Sequence, residues 1–361
     1  MLKKVLALLM VLVLGVTIMV GCASNKESNQ LAPENNAPSG AEKSDAAKSD
    51  GKDGKKEKYV IKLSYENNDG DPIDQGCDRW AELVKERTNG AVEIRIYPSS
   101  QLGAKKDLIE MMLMGQNVAT IADGSYLMDY VPDIGIVMGP YVLENWDQMF
   151  KLTASDWWAE QAGLLEKEGI KIVTKNWIYG DRHLLTKKPV AKLTDLAGAK
   201  IRVPNNDISV KMFNLLGAAS TPMALSEVYT ALSQGVVDGV ENPLTVLYDN
   251  KFQETCQYLT LTGHQKTFST FVMGEKFFSS LPTEYQKIIM EAGDEAAKYN
   301  NEIYQKQTAE MLDKFKAAGV EVSELSDLED FKAAVKGLYD SYESEGTWTK
   351  GLYDKVQSII K

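Results

Sequence analysis

A short strand closed by a proline and followed at once by a helix cap constrains this chain more than any other stretch. KPVAKLTDLAGAKIRVP runs from Lys188 to Pro204, and EVYTALSQGVVDGVENP runs from Glu227 to Pro243. Asp195 and Gly198 mark a turn. Lys200-Ile201-Arg202-Val203 reads as a strand, stopped at Pro204 because proline brings no amide donor to a ladder. Asn205, Asn206 and Asp207 then offer an N-cap for a helix over Ile208 to Leu216. Ile201 and Val203 share one strand face, so Arg202 points from the other. Arg202 therefore stands at a strand C-terminus beside a helix N-terminus, the place where open α/β sheets bind ligands. The alternative is a solvent-facing residue in a surface ion pair, since most arginines are exposed.

Around this unit, strand and helix patterns alternate. Ile61, Leu63 and Tyr65 are in phase on a first strand, followed by Glu66, Asn67, Asn68 and Asp69. Pro72 opens a helix to about Thr88 with Trp80, Leu83 and Val84 inward. Val92 to Tyr97 alternates as a second strand, and Val118 to Ala122 reads as a buried one, with Asp123 and Tyr126 just beyond it. Ile134 to Met138 and Ile170 to Trp177 read as further strands, with a Trp-rich helical stretch from Trp146 to Glu168 between them. A first crossing between lobes is placed at Tyr179–Gly180, and a return near Tyr258 to Thr262. Thr267 to Met273 returns as a strand. From Leu281-Pro282 a helical pattern runs to about Ala318 without an internal proline; such a helix spans roughly 55 Å, enough to brace two lobes. Two more helices divide near Gly346. The pattern predicts an α/β fold with a largely parallel sheet.

The N-terminus carries a different message. Lys3-Lys4 precedes an apolar run from Val5 to Val20, which reads as a secretory signal and is short for a membrane span. It ends in Met19-Val20-Gly21-Cys22, which looks like a bacterial lipobox with Cys22 as the lipidated residue. A signal peptide with an unmodified Cys22, or a plain N-terminal anchor, is the alternative. Ala23 to Lys58 is low in complexity, with Leu31 its only large apolar residue, and cannot bury enough surface to fold. As a coil its r.m.s. reach is about 30–36 Å. Beyond Cys22 there are only Cys77 and Cys256; export permits a bridge, but two small buried thiols are the default.

The chain has 40 basic and 51 acidic residues, which argues against nucleic acid as a partner. It has two histidines, His183 and His264, each read as a structural hydrogen-bonder. H-E-x-x-H, C-x-x-C, G-x-S-x-G and phosphate-loop patterns are absent. Carboxylates are plentiful, so a glycosidase pair cannot be dismissed by counting.

GAKIRVP, followed by LGAASTPMALSEVYTALSQGVVDGVENP, resembles the solute-binding proteins of TRAP transporters, the DctP-like family. ERTNGAVEIRIYPSSQLGAKKDLIEMM, from Glu86 to Met112, is a second similar piece, and the likeness covers roughly Tyr59 to the C-terminus. The resemblance implies a two-lobed periplasmic-binding-protein-like α/β fold with a long helix bracing both lobes. It implies capture of a small organic acid, either a sugar acid or a C4-dicarboxylate, for a TRAP membrane permease, with no cofactor and no catalysis. It also implies that Arg202 holds the substrate carboxylate and that Arg182 and Asn242 lie near the ligand. By position at strand ends or the lobe boundary, Glu66, Asn67, Asp123, Tyr126 and Trp177 are further cleft candidates. Glu66 and Asp123 would meet hydroxyls or an amine and repel a second carboxylate, which favours a sugar acid. The expected divisions are 1–21 signal peptide, 22–58 lipidated Cys and tether, 59–178 with 264–300 lobe I, 179–263 lobe II, and 301–361 the long helix end with the C-terminal helices. A surface glycan-processing enzyme and a sensory partner of a membrane receptor are the rival readings.

Overall fold

The computed structural model describes residues 58–361. The signal segment, Cys22 and the tether lie outside the described residues, apart from Lys58. The first half of the sheet is built from β1 (Tyr59–Ser64), β2 (Val92–Tyr97) and β3 (Val118–Ala122), linked by helices α1 (Pro72–Arg87) and α2 (Lys105–Leu113). The short helix α3 (Gly124–Leu127) follows β3; α4 (Trp146–Thr153) and α5 (Asp156–Lys167) lead to β4 (Ile170–Thr186). The second half holds β5 (Lys200–Val203), α6 (Asp207–Leu215), β6 (Ala219–Pro222), α7 (Val228–Ser233), β7 (Gly239–Pro243) and α8 (Leu244–Asp249). The chain returns through β8 (Tyr258–Gly274), α9 (Glu275–Ser280), α10 (Thr283–Ala317), β9 (Glu321–Glu324), α11 (Leu328–Ser344) and α12 (Leu352–Ile360).

All strands join one sheet in the order β2-β1-β3-β8-β4-β7-β5-β6, with β9 beside β8. The outer pairs are parallel, but β3–β8, β4–β8 and β4–β7 are antiparallel. The sheet is therefore mixed rather than largely parallel. Periodicity identifies a strand without giving its direction, and the strand–helix alternation that implies parallel pairing holds only for β1–β3 and β5–β7. β4 and β8 are 17 residues each and run through both halves, Ile170 facing Gly274 at one end and Thr186 facing Tyr258 at the other. The strand expected to end at Trp177 is thus continuous to Thr186. Its register slips at several points, including between Ile178 and Gly180 and between Arg182 and Leu184, and such bulges break the alternation that sequence reading depends on.

The run Ile134 to Met138 is a 3-10 helix from Pro132 to Met138, not a strand. Its side chains are buried, and a short buried apolar run has no period to separate the two states. The helical stretch after Trp146 breaks at Ser155, whose hydroxyl caps α5. Cys77 and Cys256 are buried and form no disulfide among the described residues.

Each face of the sheet carries its own apolar layer, and both layers cross from one half to the other. Ile178, Leu184, Phe268 and Val272 face α4–α6, α11 and α12. Their alternating neighbours Trp177, Leu185, Phe271 and Met273 face α1, α7, α8 and α10. α10, at 35 residues about 52 Å long, lies along the second layer. Small residues let it come close: a Cβ on Gly293 would sit 2.7 Å from Thr174 Cβ. Asn301 clamps β4, its Oδ1 accepting from Ile178 N at 2.8 Å and its Nδ2 donating to Asn176 O at 2.9 Å.

Candidate functional site

β5 ends as its sequence requires. Pro204 stops the ladder, and Asn206 Oδ1 accepts from Ser209 N at 2.9 Å to cap α6. The β5–β6 register then carries Met223, one residue past β6, to Val203, where its amide donates at 3.2 Å. The Met223 carbonyl accepts from Arg202 Nε at 3.1 Å and from Nη2 at 2.8 Å. The Nε–Nη2 edge of the guanidinium is thus held by one backbone carbonyl, and the plane is set. Arg202 is only 2% exposed, yet its Nη1 has no partner among the described residues. Burial lowers its pKa, Glu241 only partly offsetting the loss of water. A desolvated donor of this kind costs free energy unless something absent from the chain accepts from it.

Arg202 lines a cavity of about 370 Å³. From the second half come Arg182, Arg202 and Asn242; from the first come Glu66, Lys105, Asp123 and Tyr126, with Gln265 from β8. Asn242 Oδ1 is also buried without a partner among the described residues. Arg182 is held differently. Its Nε and Nη2 fork onto Glu241 Oε2 and Oε1 at 2.5 and 2.7 Å, which leaves Nη1 as the nitrogen Glu241 does not engage. Burial would raise the pKa of Glu241, but Arg182 and the hydrogen bond from His264 hold it down to about 2. His264 is itself kept neutral by burial, its pKa lowered despite Glu241. Against a carboxylate its Nε2 must be the donor, at 3.1 Å, so its Nδ1 accepts from Thr262 Oγ1 at 2.7 Å. Both histidines are thus structural: His183 Nδ1 accepts from Gly263 N at 3.2 Å.

On the opposite wall, Lys105 Nζ lies 3.0 Å from Glu66 Oε1, 3.9 Å from Asp123 Oδ2 and 4.5 Å from the Tyr126 ring centre. Burial would lower the Lys105 pKa and raise that of Glu66; their attraction reverses both, so each stays charged. Asp123 caps α3, its Oδ1 accepting from Ser125 N at 2.9 Å. Burial pushes the Tyr126 phenol up to about 12, so it stays neutral.

Six of the expected residues thus converge: Arg202, Arg182, Asn242, Glu66, Asp123 and Tyr126. Asn67 does not. It is not among the residues that line the cavity, and its Nδ2 donates to Asp71 Oδ1 at 3.2 Å beside the start of α1. Trp177 does not either. It sits in the α1–α10 layer, fully buried, with its ring 4.6 Å from Phe271 and its Nε1 donating to Thr174 Oγ1 at 3.0 Å. Adjacent strand residues point to opposite faces, so proximity to the crossing does not decide which side chain reaches the cleft. Asp181, next to Arg182 in sequence, pairs with Lys266 at 2.6 Å. Sequence reading missed Lys105 and Glu241. Lys105 carried a signal: a cation in the first turn of a helix opposes the helix dipole and needs another reason to be there.

Residues 63–345 match the family described as bacterial extracellular solute-binding protein, family 7 (DctP). A solute-binding protein of Sulfitobacter sp. strain NAS-14.1 is 34% identical over 270 residues, 74% of this chain and 82% of that protein. A TRAP periplasmic solute-binding protein from Ochrobacterium anthropi, crystallised with bound L-fuconate, is 42% identical with a TM-score of 0.81, covering 84% of this chain and all of the other. One from Actinobacillus succinogenes 130Z with bound L-galactonate is 40% identical with a TM-score of 0.81, covering 83% of this chain and 99% of the other. With the family profile spanning most of the described residues and the same two-lobed architecture in these relatives, the chain belongs to bacterial extracellular solute-binding protein family 7 and is a TRAP-type, extracytoplasmic solute-binding protein.

Proposed function

We propose that this protein captures a six-carbon sugar acid with a single carboxylate, and delivers it to a TRAP membrane permease. The observation that carries the reading is the buried Arg202 Nη1, left without a partner in a cavity where Asn242 Oδ1 is also unmet. A carboxylate accepts from Arg202 Nη1; the ligand's hydroxyls donate to Asn242, Glu66 and Asp123. Relatives at 40–42% identity hold L-galactonate and L-fuconate, acids of the proposed class.

Charge favours one carboxylate over two. At or directly behind the cavity, Lys105, Arg182 and Arg202 face Glu66, Asp123 and Glu241, so the described site is balanced before a ligand enters. One ligand carboxylate meets the unpaired Arg202. A second meets only Arg182, whose charge Glu241 already balances, or Lys105, which two carboxylates already flank, and like charges at low dielectric repel. The sugar acid is therefore preferred to a C4-dicarboxylate. A glycan-processing enzyme is disfavoured by the family and by the carboxylates themselves. Glu66 is tied to Lys105 and Glu241 to Arg182, so neither is poised as acid or base.

Binding closes residues 59–178 with 264–300 against 179–263 by hinge motion. Signal cleavage and lipid attachment at Cys22 hold the protein at the outer surface of the cell membrane, with residues 23–58 as the tether. Titration calorimetry with L-galactonate, L-fuconate and succinate tests the site. The aldonates should bind more tightly than succinate. Arg202→Ala should cost about 2–5 kcal/mol, roughly 30-fold or more in Kd. Arg202→Lys should also weaken binding, because lysine lacks the planar fork. Affinity unchanged in Arg202→Ala would remove the carboxylate clamp.

A further inference from the structure

A second cavity, about 460 Å³, lies directly outside the first and opens toward Ser100, Lys106 and Asn205. The two cavities share Glu66, Lys105, Tyr126 and Leu225 in their linings. Those four side chains therefore stand between the space that holds Arg202 and Asn242 and the space beyond it. Glu66 and Lys105 are fixed in that position by their 3.0 Å ion pair, with Asp123 behind and the Tyr126 ring beneath. Their side chains are 19% and 7% exposed, so the pair is walled in rather than splayed into solvent.

We propose that the Glu66–Lys105 pair, closed on the facing segment by Leu225, is an end wall that limits ligand length. The inference rests on the sugar-acid reading above, in which the carboxylate sits at Arg202 and the polyol tail runs toward Lys105. In that orientation the terminal carbon of a six-carbon chain meets the wall, and a substituent on it would have to enter the outer cavity. An ion pair forms a stiffer wall than two apolar side chains, because moving either charge aside leaves the other unpaired at low dielectric. The outer cavity shares these four lining residues with the inner one, so removing the wall joins the two spaces.

The test compares L-galactonate with its 6-O-methyl ether by calorimetry on the full chain. Wild-type protein should bind the ether at least 10-fold more weakly. The paired variant Glu66→Ala with Lys105→Ala removes both charges together, leaves neither unpaired, and should bring the two ligands within about 3-fold of each other. The paired variant Glu66→Gln with Lys105→Met keeps the bulk without the charges and should still reject the ether. Leu225→Ala opens the wall from the facing segment and should narrow the gap even if the Ala pair fails to fold, which thermal melting will report. Equal binding of both ligands to wild type, an unchanged preference in the folded Ala pair or Leu225→Ala, or acceptance of the ether by the Gln–Met pair would each overturn the steric wall. If wild type binds neither L-galactonate nor L-fuconate, the sugar-acid reading fails and the wall falls with it.

Discussion

Glu241 is fully buried beside two basic partners, and its ionisation is the residue-level event on which acid stability should turn. Burial opposes its charge, but Arg182 and His264 lower its pKa from the ordinary 4.5 to about 2. A depressed carboxylate contributes stability that is present above its unfolded value and is lost as pH falls through the folded one. The window here is pH 4.5 down to about 2, and the contribution is about 3 kcal/mol. Glu241→Gln should remove that pH-dependent component. At pH 7 it should also destabilise the protein by about 3–5 kcal/mol, since it leaves Arg182 buried without its carboxylate. Urea unfolding at pH 7, 4.5 and 3 measures both, and a variant whose pH profile parallels wild type would show the pair to be inert. Arg202 was legible in sequence because a strand, a proline and a cap fix its place. Lys105 was not, because its role comes from two carboxylates that reach it from other strand ends. Glu66 and Asn67 were indistinguishable for the same reason: both follow β1, and only the fold decides which one turns toward the cleft.

At the scale of elements, the crossing of β4 rests on Gly180. Its φ is +137°, a region that L side chains rarely adopt. A Cβ there would sit 2.7 Å from Pro243 Cβ on β7 and 2.9 Å from Tyr304 Cε2 on α10. Both neighbours belong to packed elements and neither is a free chain end. Gly180→Ala should therefore combine backbone strain with overpacking and lower stability by roughly 2–4 kcal/mol. Gly198, at φ +70° with open space around it, offers the comparison: Gly198→Ala should cost only about 1 kcal/mol. Thermal melting of the two variants side by side checks the claim, and equal losses would mean that contacts at the crossing add nothing. The sequence places a crossing at Tyr179–Gly180, and the register of β4 against β8 slips between Ile178 and Gly180. The strand's continuity through it was not legible. The bulges that let β4 pass from one half to the other also disrupt the period-two pattern by which a strand is recognised. The cap of α6 fared better: Asn206 acts through a local hydrogen bond from the amide of Ser209, three residues on.

At the scale of the whole molecule, the α/β class and the long helix were legible, because both follow from long periodic segments and their order, while the two-lobed architecture came from the resemblance to TRAP solute-binding proteins. The central antiparallel strands were not, because direction depends on pairing across the sheet. The residues that line the cavity lie between Glu66 and Gln265, all within the described body that begins its first strand at Tyr59. The proposed membrane attachment, read from Lys3-Lys4, the apolar run and Cys22, would fall to a separate stretch of sequence. The two functions should therefore separate cleanly. Cys22→Ser removes the thiol that would carry diacylglycerol, and buried acyl methylenes contribute about 0.8 kcal/mol each to membrane binding. Without them, the acidic body has no comparable attraction to an anionic surface. Fractionation should find Cys22→Ser released from the membrane pellet, while calorimetry on the released protein gives the wild-type Kd for L-galactonate. Retention of Cys22→Ser in the pellet at the wild-type level would remove the lipid anchor and leave the binding site standing. Release together with a changed Kd would mean that the N-terminal segment contributes to the site, against the separation drawn from the positions of the lining residues.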